Sequence, residues 1–581
     1  MKRVATLLAL VPLLLLTAPL MAAANVSAQE IPYGGRFAVG FLESLSTLTC
    51  GEEWQYNDMG CIFWPLVYDQ LWILSPEGEI QPRLAESWES SENGKVWTFH
   101  LRHDAKWHDG QPVTAEDVAF TAENLPQVEV WWYVDTDFEE VKVIDEYTVR
   151  LTLVNPISRP PMYWCPILPK HIWEPYAEDL LEYDNKDAIG SGPFKLKEFR
   201  SEEYVLLEAN EEYWGGRPYV DEVLLIAYAN EEAQILALKK GDIQTIGYRG
   251  LSSPAAAEKL RGEPNIEIGE YPGLGIWWLS IDLYKEGPLQ DLNVRKAIAY
   301  AINRDRIIDT VYMGYAEKAD SFVYPELDIH NPNLPQYDYN PTLAAQILDE
   351  AGYVDIDGDG VRETPEGDDL SFEIITASAW PDAIKIASLI KEDLAAIGIN
   401  IKVSPLDEDV YYTMVYEPTE SEYDIAIHEE EPGILVDWIW YFCLDPEDMG
   451  AGWNTAYYYN PEFDELYFEQ VSEFDPEKRK QLIWQMQELL AEDLPYIFLV
   501  RPKELVPYRT DKFEGYVGTI GGLSSWVNPW TYLKVHLKAA PAPPPPPAPG
   551  PAIPMTAIAG GIVALVIVVG VAYYAVKRRG S

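Results

Sequence analysis

The stretch Asp355-Ile356-Asp357-Gly358-Asp359-Gly360-Val361-Arg362-Glu363-Thr364-Pro365-Glu366 fits the pattern D-x-D-x-D-G-x5-E at every position. Carboxylates at alternate positions converge on a hard cation, so the chemistry on offer is calcium binding rather than catalysis. In that arrangement Asp355, Asp357 and Asp359 ligate directly and Val361 supplies its carbonyl. Glu363 acts through water, and Glu366 is bidentate. The ion would be structural. Pro365 and the strand-like Leu370-Ser371-Phe372-Glu373-Ile374 depart from the helix that usually follows such a loop, and the competing reading is a solvated acidic turn. Three of the 7 histidines, His100, His103 and His108, lie close together. A strand followed by a turn does not put them on one face, which favours structural roles. The chain has no GxSxG, HExxH, CxxC, P-loop or GxGxxG motif. With 94 Asp and Glu residues, carboxylate pairs suited to glycoside hydrolysis arise by chance, and none stands out.

The elements that would position such groups alternate between two periods. Trp97, Phe99 and Leu101 alternate with Thr98, His100 and Arg102, predicting a half-buried strand. Asp109-Gly110 then turns the chain, and Thr114 with Asp117 forms a capping box at the start of a helix. Val294, Ala297, Ile298, Ala301 and Ile302 predict an amphipathic helix. Ile386, Leu389, Ile390, Leu394 and Ile397 predict another, stopped by Gly398 and followed by the strand pattern Ile399, Ile401, Val403. Asp475-Pro476 supplies an N-cap with proline in the first turn for a helix carrying Leu482, Met486, Leu489 and Leu490. The class is α/β, and residues 29–538 are too many for one core, so two or three domains are expected.

The 581 residues carry a formal charge of −51, which repels phosphate backbones and excludes nucleic acid as a partner. Lys2-Arg3 precede an apolar run and then Val26-Ser27-Ala28, the layout of a signal peptide over 1–28. Met555 to Val576 is free of charge and is followed by Lys577-Arg578-Arg579. At ~1.5 Å per residue it reaches ~33 Å, enough for a transmembrane helix, with 577–581 as a cytoplasmic stub by the positive-inside rule. Residues 539–554, almost only Pro and Ala, read as a Pro-rich polyproline stalk. The expectation is a single-pass type I protein of the cell membrane with its body extracellular. Its 4 cysteines all lie in that body, where disulfides can form. Cys50 with Cys61 is the favoured pair, ahead of Cys165 with Cys443.

Several blocks resemble the extracytoplasmic solute-binding proteins of ABC importers, in the oligopeptide/dipeptide/nickel-binding family (family 5). They are Tyr68-Asp69-Gln70-Leu71 with Gly78 to Trp88, Trp97 to Arg102, and Trp107-His108-Asp109-Gly110 through Val118. Gly190-Ser191-Gly192-Pro193-Phe194 follows, with Asn210 and Tyr213-Trp214-Gly215-Gly216, and then Val294 to Arg304. The resemblance implies a two-lobed periplasmic-binding-protein-like fold (type II, the large class with an extra subdomain). Lobe I would span 29–65, 190–275 and 498–538, the subdomain 66–189, and lobe II 276–497, with hinges near 272–277 and 497–502. It implies no enzyme activity and no required cofactor. The function would be capture of a peptide or oligosaccharide between the lobes and delivery to an ABC permease, powered by separate ATPase subunits. The alternative from another class is a surface-anchored acidic hydrolase such as a glycosidase.

In peptide-binding relatives, the resemblance further implies, a lobe II loop after a strand like Tyr423 to Ile427 supplies an acid for the peptide's α-ammonium. Here that loop contains Glu429, Glu430, Glu431 and Asp437, and all four compete for the role. Trp438, Trp440, Trp453 and Trp277 or Trp278 would wall the pocket. Aromatic walls also suit sugar rings, so peptide, oligosaccharide and nickel ligands stay open.

Overall fold

One strand of 14 residues, Tyr496–Arg509, belongs to both halves of the molecule. The structure is a computed structural model that describes residues 31–128, 137–416, 423–435, 440, 443–444, 454–525, 528–539, 571–572 and 574. The first part of the long strand pairs antiparallel with Ile276–Ile281 and Ala316–Lys318. Its second part pairs antiparallel with Ile266–Pro272 and Thr245–Ile246. One continuous sheet results. On one side of the long strand lie Ile276–Ile281, Ile425–Glu430, Ser371–Ala377 and Asn400–Leu406. On the other lie Thr245–Ile246, Arg36–Phe41, Glu222–Ala227, Tyr204–Ala209 and Phe194–Arg200.

Both halves of this sheet are covered on both faces, and the alternation of side chains shows it. In Arg36–Phe41, residues Phe37, Val39 and Phe41 enter one apolar cluster, while Ala38 enters another with Leu238 and Ile246. In Ile276–Ile281, residues Trp277, Leu279 and Ile281 enter one cluster and Ile276 and Trp278 the opposite one. A strand buried on two faces needs a continuous apolar run, and Ile-Trp-Trp-Leu-Ser-Ile is nearly that. Each large side chain so buried contributes about 1.5–3 kcal/mol relative to exposure.

The expected helices form where the periodicity placed them. Leu292–Ala301 buries Val294, Ala297, Ile298 and Ala301. Pro381–Ala395 buries Ile386, Ile390 and Leu394, and Asn400–Leu406 then runs parallel to Ser371–Ala377. Asp475 caps Pro476–Asp493 by accepting from the amides of Glu477 and Lys478.

Residues 85–153 add a four-stranded antiparallel sheet in the order Ala85–Ser91, Val96–Leu101, Thr148–Leu153, Phe138–Asp145. The helix Ala115–Asn124 packs on it behind the Thr114–Asp117 capping box. Thr98, expected to face outward, is buried. It stands on an inner strand, flanked in register by Glu89 and Arg150. This sheet has no core of its own: Trp97 and Leu151 share one apolar cluster with Phe37 and Val205.

The family-like blocks hold that junction together. His108, half-buried between its neighbours, donates from Nε2 to the Gly192 carbonyl (3.1 Å) and accepts at Nδ1 from the Gly190 amide (3.2 Å). Burial pushes its imidazole down to about 4, which keeps it neutral. A Cβ on Gly190 would lie 1.9 Å from the Val67 carbonyl oxygen, so only glycine fits. Asp69 accepts from Arg83, Tyr213 and Trp214 at 2.9, 3.0 and 2.8 Å. His103 instead packs on Tyr147 at 4.1 Å, so the three histidines serve separate places.

Residues 30–538 form one compact unit. Among the described residues no helix is long and apolar enough to cross a membrane. The expected span 555–576 lies outside the described residues except at 571, 572 and 574, as do the signal segment 1–28, the stub 577–581 and all but Ala539 of the stalk.

Candidate functional site

The strand Ile425–Glu430 carries its acids to the edge where the two halves meet. Its first four residues are buried, and Glu429 and Glu430 emerge at its end. Successive side chains on an extended chain point to opposite faces, and this sorts the three glutamates. Glu429 and Glu431 turn toward Arg249, while Glu430 turns away. The Arg249 guanidinium meets Glu429 at 3.3 Å and Glu431 at 3.0 Å. The Tyr248 hydroxyl donates to Glu431 at 3.1 Å. Glu430 joins a different cluster, accepting from Tyr416 at 3.3 Å beside His428. His428 is itself held by Tyr411 and Tyr416 at 2.9 and 2.8 Å.

Tyr248 and Arg249 follow the short strand Thr245–Ile246, so they come from the half opposite to Glu429 and Glu431. Two more acids from that half interact electrostatically with Arg249 and Glu431. Glu504 stands on the long strand, and Asp58 opens the helix Asp58–Val67, its amide held by Glu43 at 2.8 Å. Gly275 leaves room on the other side: a Cβ there would lie 1.8 Å from Glu429 Oε1.

The electrostatics tie these groups into one site. Burial pushes the Glu504 carboxyl far up, with Glu431, Glu429 and Asp58 adding to the rise and Arg249 opposing it. Burial, then Glu43, push Asp58 up to about 7 against the pull of Arg249. Glu429 is raised by burial and by Glu431 and Glu430, again against Arg249. Arg249 is correspondingly held well above its ordinary range by Glu429 and Glu431. One arginine thus answers several acids drawn from both halves. Such a space is short of positive charge, and a cationic group entering it gains charge-assisted hydrogen bonds where water is scarce.

The other residues expected at the site are placed differently. Trp278 and Trp440 are fully buried. Trp278 packs edge-on against Phe322 at 4.9 Å and Trp440 against Phe463 at 5.8 Å, so both are core, not pocket wall. Trp277 is also buried, in the core cluster that contains Ile298 and Ile386. Asp437, Trp438 and Trp453 lie outside the described residues. Arg249, Tyr248, Asp58 and Glu504 went unread in the sequence. Arg249 and Glu429 are 180 positions apart, and a single arginine in a glycine-flanked loop carries no local signal.

The acidic loop forms a site of a second kind. Carboxylate oxygens of Asp355, Asp357 and Glu363 lie within 4.8 Å of one another, with Glu363 buried. Asp359 and Glu366 do not join that trio. Asp359 accepts from the Val361 amide, and the chain leaves the loop through bridges pairing Glu363 with Val354 and Asp369 rather than through a helix. Cys50 and Cys61 are both buried in the apolar cluster of the first half, where burial holds each as a protonated thiol, and the structure does not join them in the expected disulfide.

Residues 79–460 match the family described as bacterial extracellular solute-binding proteins, family 5 middle. The dipeptide-binding protein of Escherichia coli (strain K12) is 26% identical, with 76% of this chain and 84% of that protein aligned. The oligopeptide-binding protein AppA of Bacillus subtilis (strain 168) is 28% identical over 78% of this chain and 83% of its own length. The solved structure of AppA from Bacillus subtilis in complex with a nonapeptide superposes with a TM-score of 0.69 at 25% identity, covering 88% of this chain and all (100%) of that one. The fold is also that of NikZ from Campylobacter jejuni in complex with Ni(L-His), with a TM-score of 0.70 at 22% identity over 86% of this chain and 99% of that one.

Proposed function

The chain belongs to the family 5 extracellular solute-binding proteins, and from that premise we propose that it captures a peptide between its two lobes and delivers it to the permease of an ABC importer. It is a receptor, not an enzyme, and the hydrolase alternative has no support among its relatives. The observation that carries the reading is the acid-rich space closed by Arg249 of one lobe on Glu429 and Glu431 of the other. A ligand held there touches both lobes, and hinge closure around it becomes a shape change that a permease can read. The relatives named for dipeptides and oligopeptides support peptide over oligosaccharide or nickel complex. ATPase subunits on separate chains would supply the energy. Calorimetry with a peptide mixture and with cello- and manno-oligosaccharides tests the ligand class. Tight sugar binding with no response to any peptide overturns it.

The rest of the proposal concerns place and support. Cleavage after Ala28, a Pro-rich stalk over 539–554 and a membrane helix over 555–576 would tether the body outside the cell. Protease added to intact cells should then degrade the body and spare the Lys577–Ser581 stub, whereas a protected body rules this topology out. A structural calcium ion would be held by Asp355, Asp357 and Glu363, whose convergent carboxylates repel one another without a cation.

A further inference from the structure

The two halves also meet through the turn between the helices Pro461–Val471 and Pro476–Asp493. These helices are anchored in the second half, where Phe463, Leu466, Leu482 and Ile483 share one apolar cluster with Trp278 and Phe498. The turn itself reaches the four-stranded sheet of residues 85–153. There the Phe474 ring stacks on the Trp97 indole, with centroids 6.3 Å apart and planes inclined by 26°. Trp97 belongs to the cluster of Phe37 and Val205 in the first half. The Ser158 amide, just beyond that sheet, donates to the Val471 carbonyl at 2.7 Å.

The receiving surface is shaped for this contact. Trp97 Nε1 donates to the Gly94 carbonyl at 2.8 Å, which fixes the indole. Gly94 has φ +87, and a Cβ there would lie 3.0 Å from Phe474 Cε2 and 2.1 Å from the Ile157 carbonyl oxygen. The absent side chain is what lets Phe474 approach. Phe474 joins none of the apolar clusters of the described residues and is 43% exposed, so its ring adds little to the core of its own half. Neither Phe474 nor Trp97 lies on Ile266–Pro272, Ile276–Ile281 or Tyr496–Arg509, the strands that run between the halves. A hinge rotation about those strands therefore parts ring from ring and amide from carbonyl.

We propose that Phe474 and the Val471 carbonyl form a latch, with the four-stranded sheet as its catch, so that ligand retention depends on residues that do not touch the ligand. This rests on the two-lobed receptor reading and gives the extra sheet a part in it. Release needs an open form, so a latch made only when the lobes meet slows release. Stacked aromatic rings at this separation attract each other beyond the area they cover. The contact carries no charge, so salt does not screen it as it screens the pairs of Arg249.

The test is Phe474→Ala in the full chain, with one dye on each half, read without ligand by single-molecule energy transfer. The ratio of closed to open molecules should fall about fivefold, which is about 1 kcal/mol, and the fall should persist in 1 M salt. Phe474→Tyr keeps the ring and should stay close to wild type. Dissociation of a dye-labelled peptide should accelerate by a similar factor in Phe474→Ala and not in Phe474→Tyr. An unchanged closed-to-open ratio in Phe474→Ala overturns the latch. A loss that Phe474→Tyr shares, or one that vanishes in 1 M salt, overturns it as well, because the ring would then not be the fastening group. A peptide that fails to bind the wild type overturns the peptide reading alone, since the ligand-free ratio still decides the latch.

Discussion

Replacing Arg249 with glutamine tests whether this residue fastens the lobes to each other. Its side chain is 54% exposed, whereas those of Glu429 and Glu431 are 18% and 10% exposed. An exposed ion pair is worth about 0.2–1 kcal/mol, and breaking a buried one costs about 3–5 kcal/mol. With one open partner and two largely covered ones, about 2 kcal/mol is the expected loss. That is about a thirtyfold fall in the ratio of lobes in contact to lobes apart. The effect has a pH signature. Glu429 is already raised by burial, and losing the arginine raises it further. Protonated, it no longer needs a counter-ion. The loss is therefore present above that raised value and shrinks as pH falls through it. Small-angle scattering and a distance label on each lobe, read without ligand at pH 8 and pH 5, follow the population directly. Arg249→Gln should open the molecule at pH 8 and recover much of the contact at pH 5. Unchanged lobe contact at pH 8, or an equal loss at both pH values, refutes the reasoning.

Gly190→Ala forces a Cβ to within 1.9 Å of the Val67 carbonyl, so it should cost more than ~3 kcal/mol in urea unfolding, among the larger single-site effects. Asp58 is pushed up to about 7 from 3.8. The folded state keeps a proton there that the unfolded chain has released, so this group's contribution to stability falls as pH rises between those values. Asp58→Asn should flatten that part of the wild-type melting profile, and an unaltered slope would count against it. Millimolar calcium should raise the wild-type melting temperature and leave Asp357→Ala unmoved; no response in the wild type reduces the loop to a solvated turn.

Local periodicity carried most of the architecture. The helices over Leu292–Ala301, Pro381–Ala395 and Pro476–Asp493, and the strand Val96–Leu101, lie where the spacing of apolar residues and caps put them. These elements are decided by neighbours within one or two turns, and such interactions are written in consecutive residues. The blocks around Trp107 to Gly110 and Gly190 to Pro193 carried the family in the same way. Only tertiary structure decided the site. Three consecutive glutamates read alike, and it took the pairing of Ile425–Glu430 with Ile276–Ile281 to send Glu429 and Glu431 to one face and Glu430 to the other. Trp278 and Trp440 look as fit for a pocket wall as any tryptophan, and burial alone places them in the core. Arg249 meets its acids across 180 positions. A charge has no preferred spacing along the chain: its energy depends on distance through space and on how much water is left between the groups, and folding sets both.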